Sequence, residues 1–248
     1  MFEDDLISFC DRELDLLGGI LGLDVLYAGG SSLLWVEGLS QRAGEEGTVT
    51  ALDLDRECLQ ETRKNLEGAD LSAPVRLVAG NVFEPPFGPD TFDLVYSAGL
   101  FHELDVAERS AEEALLALAS VVRPGGRVAT GDFVDTVPAV QLEDESLGAE
   151  LARLRSGREF FGIGPPGRLI ALHERVLSDV RWRISAPQTI QHLGRVFLGE
   201  EEPAAFAALT PQSAEPLRGR REALRERVWR EGYTRPATLY VEGRARGG

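Results

Sequence analysis

Residues Asp24–Asp53, which read DVLYAGGSSLLWVEGLSQRAGEEGTVTALD, decide the fold. An apolar run, Asp24–Ala28, ends in the turn Gly29–Ser32, and a helical pattern follows directly from Leu33 to Ala43. A second apolar run, Thr48–Asp53, comes next. The order of strand, turn, helix and strand is typical of a parallel sheet, because parallel neighbours are joined by a helical crossover.

The same alternation continues on both sides of this stretch. An amphipathic opening helix is predicted to end at Gly18-Gly19. Downstream we predict helices over 56–66, 105–122 and 169–178, and strands over 75–79, 92–97, 127–133, 181–185 and 238–242. The predicted fold class is α/β: a doubly wound, mostly parallel sheet with helices on both faces, plus helical cover segments.

The regular alternation stops beyond Asp135. Loops or lids are predicted up to about Pro166, around an exposed Phe160-Phe161 pair that is either a buried plug or a hydrophobic wall for a substrate. An Arg-rich helix is predicted over 217–229. The predicted parts are an N-terminal helix (1–19), a ligand-binding core (20–135), and cover segments with the final strands of the same domain (136–248).

The composition excludes several classes of protein. With 248 residues, 43% of them hydrophobic and 27% charged, the chain is neither disordered nor fibrous. Cys10 and Cys58 are too few for a disulfide framework, and with His102, His173 and His192 they show no metal-ligand spacing, so no metal site is predicted. The acidic start is unlike a signal peptide and no apolar run reaches about 18 residues, so we expect a cytoplasmic protein without membrane contact.

Charge is unevenly distributed along the chain. Residues 1–150 carry 30 acidic and 9 basic side chains, whereas residues 151–248 carry 11 and 17, and the net charge of −15 argues against nucleic acid as a partner. The Arg-rich helix is interpreted as a solvated face paired with nearby glutamates. Alternatively, its arginines meet the acidic half within the chain or across a homodimer, or receive an anionic substrate. They are Arg218, Arg220, Arg221, Arg225, Arg227 and Arg230.

Ligands of open parallel sheets bind beyond the carboxyl ends of the strands, so the turns there are candidate sites. Gly29 and Gly30 allow a ligand to approach the backbone closely. Asp53 ends the second strand, where its carboxylate can accept both hydroxyls of a ribose. The alternative is that Asp53 caps the helix that begins near Arg56.

Polar residues also follow the third and fourth strands. The Asn81 amide could pair with an adenine edge, while Val82 and Leu54 offer apolar faces to the ring. Ser97 ends the fourth strand and His102 follows five residues later. His102 is interpreted either as a helix-entry residue or as a group that contacts cofactor or substrate.

Taken in order, these residues resemble class I S-adenosylmethionine-dependent methyltransferases over about residues 20–135. Asp53 and Gly29 match the acidic residue that closes the family's second strand and the first glycine of its Gly-x-Gly-x-Gly loop. Three positions depart from that pattern: Tyr27 stands where an acidic residue is usual, and Ser31 and Leu33 replace the second and third glycines.

Further motifs support the resemblance. Phe92–Ser97 and Leu100–Leu104 look like the family's fourth-strand motif, with His102 on its first histidine, and Val121–Arg127 looks like the next motif. Asn81 falls where an aspartate is common. The resemblance implies a seven-stranded-type sheet, S-adenosylmethionine as cofactor and S-adenosylhomocysteine as product. The predicted cofactor-binding residues are Tyr27, Gly29, Gly30, Ser31, Asp53, Leu54, Asn81, Val82 and Ser97, and the predicted substrate residues are His102, Phe160 and Phe161.

The predicted function is methyl transfer to a small-molecule acceptor, with the ring or hydroxyl of Tyr27 touching the methionine part of the cofactor. His102 would accept a proton if the acceptor must lose one, since its reference pKa of about 6.5 suits that task. One alternative is a catalytically inactive binding or regulatory module, which the altered glycine loop favours. Others are an RNA methyltransferase and a nicotinamide-dependent oxidoreductase, against which the missing Gly-x-Gly-x-x-Gly turn argues.

Overall fold

The computed structural model describes residues 2–69, 71–190, 198 and 204–246, so His192 lies outside the described residues. Its helices are α1 (Phe2–Asp15), α2 (Leu33–Ala43), α3 (Arg56–Leu66), α4 (Ala111–Ser120), α5 (Val140–Ser156), α6 (Pro166–Val176) and α7 (Pro211–Glu231), with a short 3-10 helix at Ala204–Ala208. Its strands are β1 (Asp24–Ala28), β2 (Thr48–Asp53), β3 (Val75–Ala79), β4 (Phe92–Ala98), β5 (Val122–Val134), β6 (Leu177–Ile184), β7 (Gln188–Ile190), β8 (Tyr233–Arg235) and β9 (Ala237–Ala245).

A seven-stranded sheet has the order β3-β2-β1-β4-β5-β9-β6, and β7 pairs with β8 in a separate ribbon. The first five strands are parallel, whereas β9 runs antiparallel to both β5 and β6. The predicted doubly wound, mostly parallel fold is confirmed. The carboxyl ends of β1 to β5 therefore meet at one edge of the sheet, where the candidate residues were predicted to lie.

Alternation along β1 divides the core into two layers, because successive side chains of a strand point to opposite faces. Val25 and Tyr27 pack with α1 and α2 in one apolar cluster. Leu26 and Ala28 pack with α4 and α6 in the other. Both faces of the strand are buried, which is why its sequence is a continuous apolar run.

The predicted helix over 105–122 is shorter than expected and begins at Ala111. Asp105 prevents an earlier start, because its side chain accepts hydrogen bonds from the backbone N–H groups of Ala107 and Glu159. Ser110 then forms a capping box with the third residue of α4. Hydrogen bonds from the backbone to the Asp105 side chain thus keep residues 105–110 out of the helix that the sequence pattern predicted.

The prediction of loops between Asp135 and Pro166 is wrong, because α5 occupies most of this segment. Leu147 and Leu151 bury one face of α5 in a small apolar cluster that includes the first turns of α7. The helix ends at Gly157, which has a left-handed backbone (φ 71°). β5 also begins earlier than predicted, at Val122 rather than Arg127.

The Arg-rich segment is helical from Pro211 to Glu231, longer than predicted. Arg220 pairs with Glu150, and Arg227 pairs with Glu143 at 2.6 Å, so two arginines of α7 meet acidic residues of α5 within the chain. Over the part of the chain that the structure describes, no helix combines the length and apolar character needed to cross a bilayer.

Candidate functional site

The glycine loop after β1 is held against β2 by its backbone. The N–H groups of Gly29 and Gly30 both donate to the carbonyl of Leu52, at 2.8 and 3.1 Å. Gly29 has a φ of 74°, and a Cβ there would lie 2.3 Å from Cδ1 of Leu100. Any other residue at the first position of the loop would therefore have a strained backbone and would displace Leu100.

Asp53 lies beside this loop at the end of β2. Its Oδ2 accepts a hydrogen bond from the Ser31 hydroxyl (2.8 Å), and its Oδ1 accepts one from the backbone N–H of Asp55 (2.9 Å). The alternative that Asp53 caps the next helix is wrong: Asp55 is the N-cap of α3 and accepts from the N–H groups of Glu57 and Cys58. The half-buried Asp53 carboxylate thus faces the loop rather than the helix.

Side chains after β2 and β3 surround the same edge. The Leu54 side chain is 68% exposed, although it is large and apolar. Asn81 is exposed, and its Oδ1 accepts from the N–H of Phe83 (3.0 Å). Val82 is only 7% exposed and belongs to the core cluster beneath the edge. Leu54 and Asn81 therefore present an apolar face and an amide to solvent at this edge of the sheet, whereas Val82 is largely shielded.

Tyr27 closes one side of the loop. Its ring is buried and packs against Tyr96 and Trp35, with centroid separations of 6.1 and 6.4 Å. A Cβ at Gly30 would lie 2.5 Å from the Tyr27 hydroxyl oxygen, so the phenol lies directly against the loop. Burial raises the pKa of this phenol, which keeps it neutral.

Ser97 starts a buried chain of hydrogen bonds. Its hydroxyl donates to Thr130 (3.2 Å), which in turn is 3.0 Å from Nε2 of His173. His173 Nδ1 lies 2.9 Å from the carbonyl of Leu169, and because that carbonyl can only accept, Nδ1 carries the proton. Burial lowers the pKa of His173 to about 4, so the ring is neutral and accepts from Thr130. The Ser97 hydroxyl is thereby engaged inside the protein, at 1% exposure.

His102 contacts a buried carboxylate that sequence analysis missed. Its Nδ1 lies 2.7 Å from Oδ1 of Asp132, which is 2% exposed and also accepts the backbone N–H groups of Phe101, His102 and Phe133. Nε2 faces Glu103 and Glu145, at 3.7 and 3.8 Å. Asp132 lies within β5, where most residues are buried. A charged residue inside such a strand was the one feature of the sequence that could have indicated this partner of His102.

These carboxylates change the protonation of His102. Burial alone would lower its pKa, but the charge and hydrogen bond of Asp132, together with Glu145 and Glu103, raise the pKa to about 9. His102 is therefore a cation at neutral pH. The sequence-based expectation of a base with a pKa near 6.5 does not describe this environment.

Phe160 and Phe161 are half-buried rather than exposed. Phe160 lines a cavity of about 510 Å³ that His102 also lines, so the fold brings these two predicted substrate residues together. Phe161 packs instead against Phe101 and under the guanidinium of Arg168, whose carbon lies 3.8 Å from the ring centroid. Phe161 therefore packs behind the cavity that Phe160 and His102 line.

Two adjoining cavities lie between α1 and the end of β5. The larger, about 680 Å³, and the smaller, about 100 Å³, share several lining residues, among them Phe9, Glu13, Phe133 and Arg235. The smaller cavity reaches Gly99 at the end of β4. Space for a small molecule thus extends from the surface to the edge of the sheet beside His102.

A family model described as "Methyltransferase domain" matches residues 25–126, which include β1 to β4, the glycine loop and Asp53. Over these residues the chain is similar to a methyltransferase domain. The resemblance on which the sequence analysis relied is thereby confirmed, and so is the seven-stranded sheet of that domain. Members of this family use S-adenosylmethionine.

Curated relatives match about half of this chain. The ubiquinone/menaquinone biosynthesis C-methyltransferase UbiE of Idiomarina loihiensis is 33% identical over 143 residues, 55% of this chain and 55% of that protein. A demethylmenaquinone methyltransferase of Bacillus cereus is 32% identical over 118 residues, 47% of this chain and 46% of the relative. The chain thus spans about half the length of the curated relatives it matches.

Solved structures share the fold over a longer stretch. Phosphoethanolamine N-methyltransferase 2 of Haemonchus contortus, solved with phosphomonomethylethanolamine and S-adenosylhomocysteine, aligns with 96% of this chain and 53% of its own, with a TM-score of 0.61 and 13% identity. A SAM-dependent methyltransferase of Aquifex aeolicus aligns with 71% of this chain and 82% of its own, with a TM-score of 0.53 and 20% identity. At these identities the likeness concerns the fold.

Proposed function

We propose that the chain is an S-adenosylmethionine-dependent methyltransferase acting on a small-molecule acceptor. The observation that carries the proposal is the position of Asp53, which lies beside the glycine loop at the carboxyl end of β2 and leaves the capping of α3 to Asp55. A carboxylate at this place in a doubly wound sheet is suited to binding a ribose.

The residues at this edge fit an adenosyl group. Asp53 would accept the ribose hydroxyls, and the exposed Leu54 would cover one face of the adenine. The exposed Asn81 amide would pair with the adenine edge. Tyr27 would lie against the methionine part, since its hydroxyl borders Gly30.

When bound, S-adenosylmethionine supplies a methyl group on a sulfonium, which is already activated for in-line displacement. The chain then has to place the acceptor in line and exclude water. Tyr27, Trp35 and Tyr96 form an aromatic wall beside the loop, and the adjoining cavities open next to it. The acceptor would occupy these cavities, with its reacting end toward Gly99.

His102 would act in one of two ways. As an imidazolium held by Asp132 it stabilises negative charge on an acceptor oxygen. If the acceptor must lose a proton, His102 has to be deprotonated first, and the rate of transfer would then rise with pH up to about 9. The names of the curated relatives refer to quinone biosynthesis, which is consistent with a small cyclic acceptor in an aromatic cavity.

A second candidate function is a non-catalytic binding or regulatory module. It is favoured by the observation that both carboxylate oxygens of Asp53 already accept hydrogen bonds within the chain, from Ser31 and Asp55. Methyl transfer to RNA finds less support, because Arg220 and Arg227 of the Arg-rich helix pair with glutamates of α5.

Calorimetric titration with S-adenosylmethionine and S-adenosylhomocysteine tests the proposal. We expect Asp53→Ala to weaken binding by about 1.5–3 kcal/mol, the range for hydrogen bonds to a charged group. Asp55→Ala is the matched control, because it removes a neighbouring carboxylate that caps α3 and does not face the loop. Ser31→Ala, which frees Oδ2 of Asp53, should bind at least as tightly as the unaltered chain.

Equal affinity of Asp53→Ala and the unaltered chain would remove Asp53 from the cofactor site. Absence of binding by the unaltered chain would contradict the methyltransferase proposal itself. Binding without turnover across a broad panel of acceptors would favour the binding module.

A further inference from the structure

Arg235 holds its guanidinium in a fixed position without an ionic partner. The guanidinium carbon lies 4.4 Å from the ring centroid of Phe9 and 4.6 Å from that of Phe133, and Nε donates to Oε1 of Gln141 at 3.3 Å. Within the described part of the chain, its two terminal nitrogens have neither a hydrogen-bond acceptor nor a carboxylate within ion-pair distance. The two terminal nitrogens form the planar fork of the guanidinium, and their four N–H groups are therefore available to a ligand.

The fork belongs to the walls of both adjoining cavities. Aromatic rings supply much of the remaining surface, namely Phe9, Phe133, Trp35 and Tyr96. A charged group that is partly withdrawn from water is costly unless it is paired, and the rings give cation–π contact but no counter-charge. The cavities thus combine aromatic walls with the guanidinium of Arg235, whereas the other arginine of their lining, Arg12, is exposed.

Glu13 limits which anion the cavity can take. It lines the same two cavities, is 5% exposed, and its carboxylate forms no ion pair or hydrogen bond within the described residues. Burial raises its pKa to about 7 despite the opposing charge of Arg235, so it is partly ionised at neutral pH. A single carboxylate is tolerated beside it, whereas a phosphate dianion would meet stronger repulsion.

We propose that these cavities bind the acceptor as a carboxylate on an aromatic or otherwise apolar body, with Arg235 receiving the carboxylate through its two terminal nitrogens. The planar fork matches a carboxylate in a bidentate arrangement. The smaller cavity continues to Gly99 and Asp132, so the opposite end of the molecule would reach the neighbourhood of His102. In calling this ligand the acceptor, the inference rests on the proposed function.

The test compares a carboxylate with its neutral amide on the full chain. We would titrate 2-naphthoate and 2-naphthamide calorimetrically, because the two probes share size and shape and differ in charge. The unaltered chain should bind the acid at least tenfold more tightly than the amide. Arg235→Gln should abolish this preference, and Arg235→Lys, which keeps the charge and loses the fork, should retain part of it.

Arg12→Gln is the matched control. Arg12 lines the larger cavity but is exposed and donates to the hydroxyl of Ser8, so its loss changes the net charge equally without altering the fork. The preference for the acid should survive in this variant. A preference lost equally in Arg12→Gln and Arg235→Gln would overturn the assignment.

Equal affinity of the unaltered chain for acid and amide, or binding of neither, would also overturn the inference, and this comparison needs no variant to fold. Titration with S-adenosylhomocysteine keeps the two proposals apart. If the unaltered chain binds this ligand and does not distinguish acid from amide, the acceptor inference fails and the methyltransferase proposal stands. If it prefers the acid and binds no S-adenosylhomocysteine, the cofactor proposal fails, and the cavity remains a carboxylate site.

Discussion

Raising the pH from about 6.5 to about 9 should remove stability that His102 supplies. Its pKa is about 9 in the folded chain, against an ordinary value of 6.5, because the Asp132 carboxylate and two glutamates outweigh the effect of burial. The folded chain therefore holds the proton more tightly than the unfolded chain. The extra stability is complete below pH 6.5 and is lost as the pH rises through 9. A difference of 2.5 pKa units at about 1.4 kcal/mol each corresponds to about 3 kcal/mol.

Urea unfolding at pH 6.5 and pH 9 measures this loss. The unaltered chain should lose about 2.5 kcal/mol more of its unfolding free energy than His102→Gln over this interval, because the folded ring is still half protonated at pH 9. Glu13, whose pKa is raised to about 7, titrates in both proteins and cancels in the comparison. Equal losses in the two proteins would refute the reasoning, as would an NMR titration that places the pKa of the His102 ring near 6.5.

Two further substitutions test the loop and a helix start. In urea denaturation, Gly29→Ala should lower the unfolding free energy more than Gly125→Ala does. Both positions have a positive φ, which costs a residue with a Cβ about 1–2 kcal/mol. Only the Cβ at position 29 would also meet a side chain, that of Leu100. Equal costs would show that Leu100 moves away freely. Ser110→Ala should lower the unfolding free energy by about 1 kcal/mol because it removes the N-cap of α4, and Ser120→Ala at the other end of that helix should change it little. A loss at Ser120 as large as that at Ser110 would contradict the capping argument.

The first half of the fold could be predicted because its signals are local. The bounds predicted for β1, α2, β2, α3 and β3 are those of the structure. In this region each strand is rich in apolar and β-branched residues, and each ends where Gly, Asp or Asn begins a turn. Such patterns depend on neighbours in sequence rather than on distant contacts, and a single sequence therefore contains them.

Elements that depend on distant contacts could not be predicted in the same way. α5 contains many charged residues and Gly148, so its sequence resembles a loop, yet Leu147 and Leu151 are buried because α7 packs against them. The start of α4 was misplaced because the sequence does not show that Asp105 bonds to the backbone of Glu159. In both cases tertiary contacts overrode the local pattern.

The residues of the candidate site show the same difference between local and distant contacts. Asp53 and its loop are close in sequence, and their spacing predicted that they would meet. Asp132 lies 30 residues from His102, and Arg235 meets Phe9 from the far end of the chain, so no spacing connects them. The residues that set the protonation of His102 and the charge of the cavity thus became visible only in the folded chain.

Two of the three departures from the family pattern, Ser31 and Tyr27, differ in their effect on the space for a cofactor. Ser31 replaces a glycine, but its carbonyl accepts a hydrogen bond from the Thr62 hydroxyl and its own hydroxyl donates to Asp53. These bonds hold the loop in place and leave the space beside it open. A carboxylate oxygen accepts more than one hydrogen bond, and Asp53 can therefore bind Ser31 and a ribose hydroxyl together. Gly29, which the backbone requires, is retained. Tyr27 is consequently the departure that narrows the space beside the loop, and it does so where the methionine part of a cofactor would lie rather than where the ribose would bind.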